Sequence, residues 1–94
     1  MAPRVLTEEE IDSAVAGVEW ERDGNEIVKE VTLADFVAAL AWVNQVGALA
    51  EERNHHPDIA ISWNKVTLRL RTHSPEGITD LDFDLAAAVD GIAE

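Results

Sequence analysis

Apolar positions along the chain fall into short groups that switch between helical steps and strict alternation. After Thr7, Ile11, Val15 and Val18 make a short helical stripe. After Thr32, Phe36, Leu40, Val43 and Gly47, flanked by Val37 and Val46, recur at three- and four-residue steps and predict the main helix from about Leu33 to Glu52. Leu81, Leu85, Ala88 and Ile92 repeat the pattern near the end of the chain. Each stripe follows a threonine with a carboxylate three residues on: Thr7 with Glu10, Thr32 with Asp35, Thr79 with Asp82. That spacing is a capping box, in which the two side chains satisfy free N–H groups of the first helical turn.

The segments between these helices alternate with period two. Val18 to Val31 reads as a hairpin turning at Asp23-Gly24 or at Gly24-Asn25, with Trp20 in its first strand and Ile27, Val28 and Val31 after the turn. Ile59 to Trp63 and Val66 to Thr72 read as a second hairpin, with Asn64-Lys65 between the strands. The order α-β-β-α-β-β-α predicts an α+β fold: a four-stranded antiparallel sheet with three helices packed on one face. With no repeat and no linker, residues 1–94 are expected to form a single domain.

Composition narrows the partners. Seven basic residues stand against nineteen acidic ones, for a net charge of −12. Nucleic-acid phosphates and anionic membrane surfaces both require clustered Lys and Arg, so neither is expected as a partner. Cysteine is absent, which excludes disulfides, thiol catalysis and cysteine-ligated zinc. No apolar run approaches the ~20 residues of a membrane span, and Met1-Ala2-Pro3-Arg4 leads into acidic residues without the apolar stretch of a signal peptide. A cytoplasmic protein is the expectation. A chain this short buries limited surface, so self-association would add stability.

The chemistry-bearing residues are the three histidines, His55, His56 and His73. If Asn64-Lys65 is a two-residue turn, Trp63 pairs with Val66, Ile61 with Leu68 and Ile59 with Leu70, giving one apolar face. The same register sets Asp58 against Arg71 and His56 against His73, about 4.5–5.5 Å apart between Cα atoms. Pro57 holds His56 in extended backbone, so His55 joins this patch only through a bend after the helix, for which Asn54 is a candidate left-handed residue. Imidazoles titrate near neutrality and suit an acid–base pair. Three imidazoles could also hold zinc, but there is no His-x-His or His-x3-His spacing, and no metal is expected.

Glu51, then His55-His56-Pro57, Trp63-Asn64-Lys65-Val66, Thr72-His73 and Gly77-Ile78-Thr79 ahead of Asp82 closely resemble the pterin-4a-carbinolamine dehydratase family. The motif match covers about Glu51 to Ala86, and the predicted element order extends it over nearly the whole chain. The resemblance implies a hydro-lyase, a 4a-hydroxytetrahydrobiopterin dehydratase that converts a 4a-hydroxytetrahydropterin to quinonoid dihydropterin. That reaction recycles tetrahydropterin after a pterin-dependent aromatic amino acid hydroxylase. It also implies no cofactor, since the pterin is the substrate, and assembly into homodimers or homotetramers. By motif position, His55 and His73 would be general acids for either face of the ring, and His56 would bind the pterin and assist proton transfer. Glu51 and Asp82 would orient the imidazoles, and Trp20 would form a pocket wall.

Some of these positions have a second reading. Asp82 is also the third residue of a capping box, a tryptophan placed like Trp20 is more often core than pocket wall, and Pro57 acts through the backbone. Glu51 ends a helix where its charge opposes the macrodipole. Ile59, Trp63, Asn54 and Leu81 depart from the pattern of animal members, which bears on the identity of the pterin. The competing function is a non-enzymatic interaction or assembly module on the same fold, as some relatives are dimerisation partners of a transcription factor or serve in protein assembly. A pterin- or metal-binding protein without turnover is a third. The presence of all three histidines favours chemistry.

Overall fold

The chain folds around a twisted sheet whose four strands are ordered β1-β2-β4-β3. The computed structural model describes residues 3–94; Met1 and Ala2, where the reading of the N-terminus begins, lie outside the described residues. In chain order the elements are α1 (Glu8–Val15), β1 (Glu21–Asp23), β2 (Glu26–Thr32), α2 (Phe36–Arg53), β3 (Asp58–Ser62), β4 (Lys65–Leu70), β5 (Thr72–His73), β6 (Glu76–Gly77) and α3 (Asp80–Asp90). The sheet is antiparallel throughout, and β5 and β6 form a separate two-stranded ribbon. The α+β order read from the sequence is the observed one, with this ribbon inserted before the last helix. Among the described residues no helix is long and apolar enough to cross a membrane.

Alternation explains the sheet. Ile27 and Val31 on β2 and Val66, Leu68 and Leu70 on β4 turn inward and are buried, and they meet Ile11 of α1, Trp42 and Val46 of α2, and Phe83, Leu85 and Val89 of α3 in one core. The intervening Glu30, Thr67 and Arg69 face the other way and keep partial or full contact with water. Removing this apolar surface from water is the main stabilising term.

The helix starts follow the capping logic twice out of three times. At α1 Thr7 and Glu10 close a full capping box, with hydrogen bonds of 3.2 and 2.9 Å. Arg4, followed by the Thr7 N–H, holds the Glu10 carboxyl down to about 2. Thr79 and Asp82 close the same box at α3. The box predicted at Thr32 and Asp35 does not form. Thr32 is still in the sheet, paired with Lys65, and the Leu33 N–H donates to the Asn64 carbonyl at 2.8 Å. The helix therefore starts at Phe36, after the predicted Leu33, and Asp35 caps it alone by accepting the Ala38 N–H at 2.8 Å.

The buried face of α2 also differs from the predicted stripe. Ala39, Trp42, Val46 and Ala50 face the core, while Phe36 and Leu40 remain 47% and 40% exposed. Small residues at 39 and 50 let the helix lie close against its neighbours, and Trp42 fills the space between them. A count of apolar residues weighs side-chain size and does not register this fit.

A third correction concerns the β3–β4 hairpin. Ser62 pairs with Lys65, Ile61 with Val66, Ile59 with Leu68 and Asp58 with Arg69, so the turn is Trp63-Asn64 and not Asn64-Lys65. Trp63 leaves the strand with φ +52°. Asn64 fixes the turn by tertiary contact: its side-chain amide donates to the Leu33 carbonyl at 3.0 Å. The register moves by two residues, so the apolar face is preserved, but Arg71 and not His73 falls opposite His56 when the ladder is extended.

The β5–β6 ribbon is held by Gly77. Its φ of +142° disfavours any L side chain, and a Cβ there would stand 3.0 Å from Val5 Cγ1. Gly77→Ala should cost about 1–3 kcal/mol in urea unfolding. A loss below about 0.5 kcal/mol, the range of an ordinary surface change, would show that neither constraint acts.

Candidate active site

The end of α2 determines where the histidines go. Asn54 takes the left-handed conformation (φ +49°, ψ +42°), as its residue type suggests. Its N–H donates to the Glu51 carbonyl at 3.2 Å, and the His55 N–H donates to the Ala50 carbonyl at 3.1 Å, which together reverse the chain in a Schellman closure. The reversal turns the His55 ring inward beside α3. Its Nε2 lies 2.6 Å from Asp82 Oδ1, with the imidazole 10% exposed and the carboxylate fully buried.

Asp82 is held from three sides. Its Oδ2 accepts the Thr79 N–H at 2.9 Å and the Thr72 hydroxyl at 3.0 Å, and the Thr72 and Thr79 hydroxyl oxygens are 2.7 Å apart. The carboxylate closes the cap of α3 with one oxygen and holds His55 with the other, so the cap does not prevent Asp82 from facing the histidine. His56 projects to the surface, where its Nε2 lies 2.5 Å from Glu51 Oε2. Both partners are well exposed, so this contact positions His56 without contributing much stability.

A cavity of about 420 Å³ joins these groups, and His55, His56, Pro57, Arg71, Thr72 and His73 line it together with Asn54, Asp58, Ser74, Leu81 and Pro3. All three histidines therefore border one space, though not by the register expected. His73 arrives on β5, after the chain has left the sheet at Leu70. Glu51 reaches the site only through His56.

Trp20 is not brought to the histidines. It precedes β1 and is 4% exposed. Its indole Nε1 donates to Asp90 Oδ1 at 2.9 Å, and it borders a different cavity with Val18 and Lys29. Two lining residues carried no functional signal in the sequence. Arg71 reads as an outward strand position, yet it contributes the guanidinium of the site, 3.7 Å from Glu76. Thr72 was visible only as the neighbour of His73. Among the described residues no three His, Asp or Glu side chains are grouped so as to hold a metal ion.

A small α+β protein with a histidine–carboxylate pair opening onto a shallow cavity is thus the class defined by fold and site. Residues 4–92 match the family model described as pterin 4 alpha carbinolamine dehydratase. The chain belongs to this family. A relative from Roseiflexus castenholzii, named "Putative pterin-4-alpha-carbinolamine dehydratase", is 48% identical over 89 residues, covering 94% of this chain and 96% of its own. A relative of the same name from Nocardia farcinica is 43% identical, with 99% of both chains covered. Among solved structures, a transcriptional coactivator/pterin dehydratase from Brucella melitensis superposes with a TM-score of 0.86 at 31% identity, covering 94% of this chain and all of that one. A pterin dehydratase-like protein described as a RuBisCO assembly factor in the alpha-carboxysome shares the fold, with a TM-score of 0.62 at 20% identity over 78% of this chain and 84% of that one.

Proposed function

We propose that this protein is a hydro-lyase that dehydrates a 4a-hydroxytetrahydropterin to quinonoid dihydropterin, in the recycling of tetrahydropterin. The observation that carries the reading is the buried Asp82–His55 pair opening onto a cavity shared with His56 and His73. Elimination breaks the C4a–O bond and the N5–H bond and forms a C4a=N5 double bond. The leaving hydroxyl takes a proton and departs as water, while a base takes the N5 proton. The step is redox-neutral, so it needs no electron carrier, and two imidazoles can supply both transfers. His55 and His73 are the acids, His56 holds the ring and assists, and Glu51 and Asp82 orient His56 and His55. Arg71 adds a cation at the cavity edge, where it can bind an oxygen substituent of the pterin.

Assembly into a homodimer or homotetramer, in the cytoplasm, belongs to the same reading. In support of self-association, Phe36, Val37 and Leu40 of α2 and Ile59 and Trp63 around the edge strand β3 leave apolar surface exposed. The competing reading is an assembly or interaction module, favoured by the name of the Brucella melitensis protein, which includes a coactivator role.

The decisive measurement is the dehydration rate of freshly generated carbinolamine, followed optically against the spontaneous reaction. The wild-type protein should accelerate it, and His56→Ala should raise KM several-fold, about 1 kcal/mol of binding. A folded wild-type protein that leaves the spontaneous rate unchanged would overturn the enzyme reading and leave the interaction module.

A further inference from the structure

Thr72 is 4% exposed and lies between the two proposed acids, adjacent to His73 in sequence and bonded to the carboxylate that holds His55. The direction of its hydrogen bonds can be worked out from what each neighbour is able to donate. The Leu81 N–H donates to Thr79 Oγ1 at 3.2 Å, so that oxygen is already an acceptor. One hydroxyl hydrogen lies between Thr79 and Thr72, whose oxygens are 2.7 Å apart. As a carboxylate Asp82 can only accept. If Thr79 donates to Thr72, the Thr72 hydrogen is free to donate to Asp82 Oδ2, and every group is satisfied. In the reverse direction Oδ2 would face a lone pair of Thr72, and the Thr79 hydrogen would lose its acceptor. The chain therefore runs from Thr79 through Thr72 to Asp82.

This order has a consequence for His55. With the Thr72 hydroxyl and the Thr79 N–H both on Oδ2, the carboxylate cannot rotate freely, and Oδ1 is presented to the imidazole. An accepting Oδ1 requires a hydrogen on His55 Nε2, so in the neutral ring Nδ1 carries the lone pair. We propose that Thr72 is a positioning residue: its hydroxyl locks Asp82 so that His55 keeps its hydrogen on Nε2, which leaves Nδ1 as the atom that takes a proton from solvent and, from the resulting imidazolium, gives it to the leaving hydroxyl. Thr72 does not itself touch the reacting atoms in this role. The kinetic consequence rests on the dehydratase reading, whereas the tautomer does not.

The test compares wild type with Thr72→Val, which keeps the shape and removes the donor, and Thr72→Ser, which keeps the donor. Long-range proton–nitrogen NMR of the ring nitrogens reads the tautomer, with His55 signals identified by their loss in His55→Gln. Wild type and Thr72→Ser should show a single neutral form with hydrogen on Nε2, and Thr72→Val should show a mixture. In the dehydration assay Thr72→Val should lose roughly ten-fold or more in kcat with KM within about two-fold, the loss expected for a hydrogen bond to a charged group. Thr72→Ser should restore most of the rate. A folded Thr72→Val protein with an unchanged tautomer overturns the proposal. So does a wild-type spectrum with hydrogen on Nδ1, which decides the matter even if the valine variant does not fold. A wild type without activity removes the dehydratase reading alone, because the NMR comparison still decides the role of Thr72.

Discussion

His55→Ala should lower kcat for carbinolamine dehydration by about 10²-fold or more, the usual contribution of a positioned acid or base, and His73→Ala should lower it less. The asymmetry follows from their surroundings. His55 is nearly buried and fixed by Asp82, whereas His73 lies exposed on a short ribbon. In the proposed mechanism each acid serves one face of the ring, so each should partly replace the other, and the double variant should approach the spontaneous rate. His55→Ala also strips a donor from a fully buried carboxylate, which costs about 1–3 kcal/mol of stability by itself. His55→Gln separates the two effects: a glutamine amide can still donate to Asp82 but cannot transfer a proton at neutral pH. If His55→Gln turned over at the wild-type rate, His55 would have no acid role.

The second large effect concerns stability, and it arises at the far end of α3. Asp90 accepts hydrogen bonds from Lys29 Nζ at 2.8 Å, Trp20 Nε1 at 2.9 Å and the Glu19 N–H at 2.8 Å. Its charge sits at a helix C-terminus, where the macrodipole opposes it, so these donors are what keep it there. Lys29 is only 6% exposed. Asp90→Ala would leave the buried ammonium with only the Glu19 carbonyl at 3.5 Å and the largely exposed Glu19 carboxylate at 3.9 Å, which costs about 3 kcal/mol. For a domain of this size that lowers the melting temperature by about 12 °C or more. Replacing both ends with apolar residues, as Lys29→Met with Asp90→Leu, should recover part of the loss, because no buried charge is then unpaired. Thermal unfolding followed by tryptophan fluorescence measures both variants. A single variant that melts within about 2 °C of wild type would show that this cluster does not hold α3 to the sheet.

This cluster also explains why the role expected for Trp20 could not be read reliably from the chain. A tryptophan near a predicted strand is compatible with a pocket wall or with a core, and only the approach of Asp90, seventy residues later, decides which atoms its ring meets. The same holds for Thr72. Its position in an alternating segment made it an ordinary strand residue of the main sheet, but the chain leaves that sheet after Leu70, two residues before it, and the hydroxyl ends up against α3.

The histidine site was legible in part. Asn54 predicts the left-handed bend that carries His55 inward, because few residues tolerate that conformation and the closure depends only on atoms of Ala50 to His55. That Arg71 and not His73 falls opposite His56 was not legible, since hairpin register depends on the turn, and the turn depends on Asn64 reaching Leu33 across the molecule. A shift of two residues preserves the apolar face, so the hydrophobic pattern could not reveal it.

What the sequence alone determined is local in origin: the order of helices and strands, the caps at Thr7 and Thr79, the bend at Asn54, and the motif that marks the family. These rest on interactions within a few residues, which spacing encodes directly. The tertiary structure alone decided the buried face of α2, the start of that helix at Phe36, the β3–β4 register and the convergence of Asp82, Thr72 and His55. Each of those depends on which atoms from distant segments compete for the same hydrogen-bonding groups or the same volume, and that competition is settled only when the segments meet.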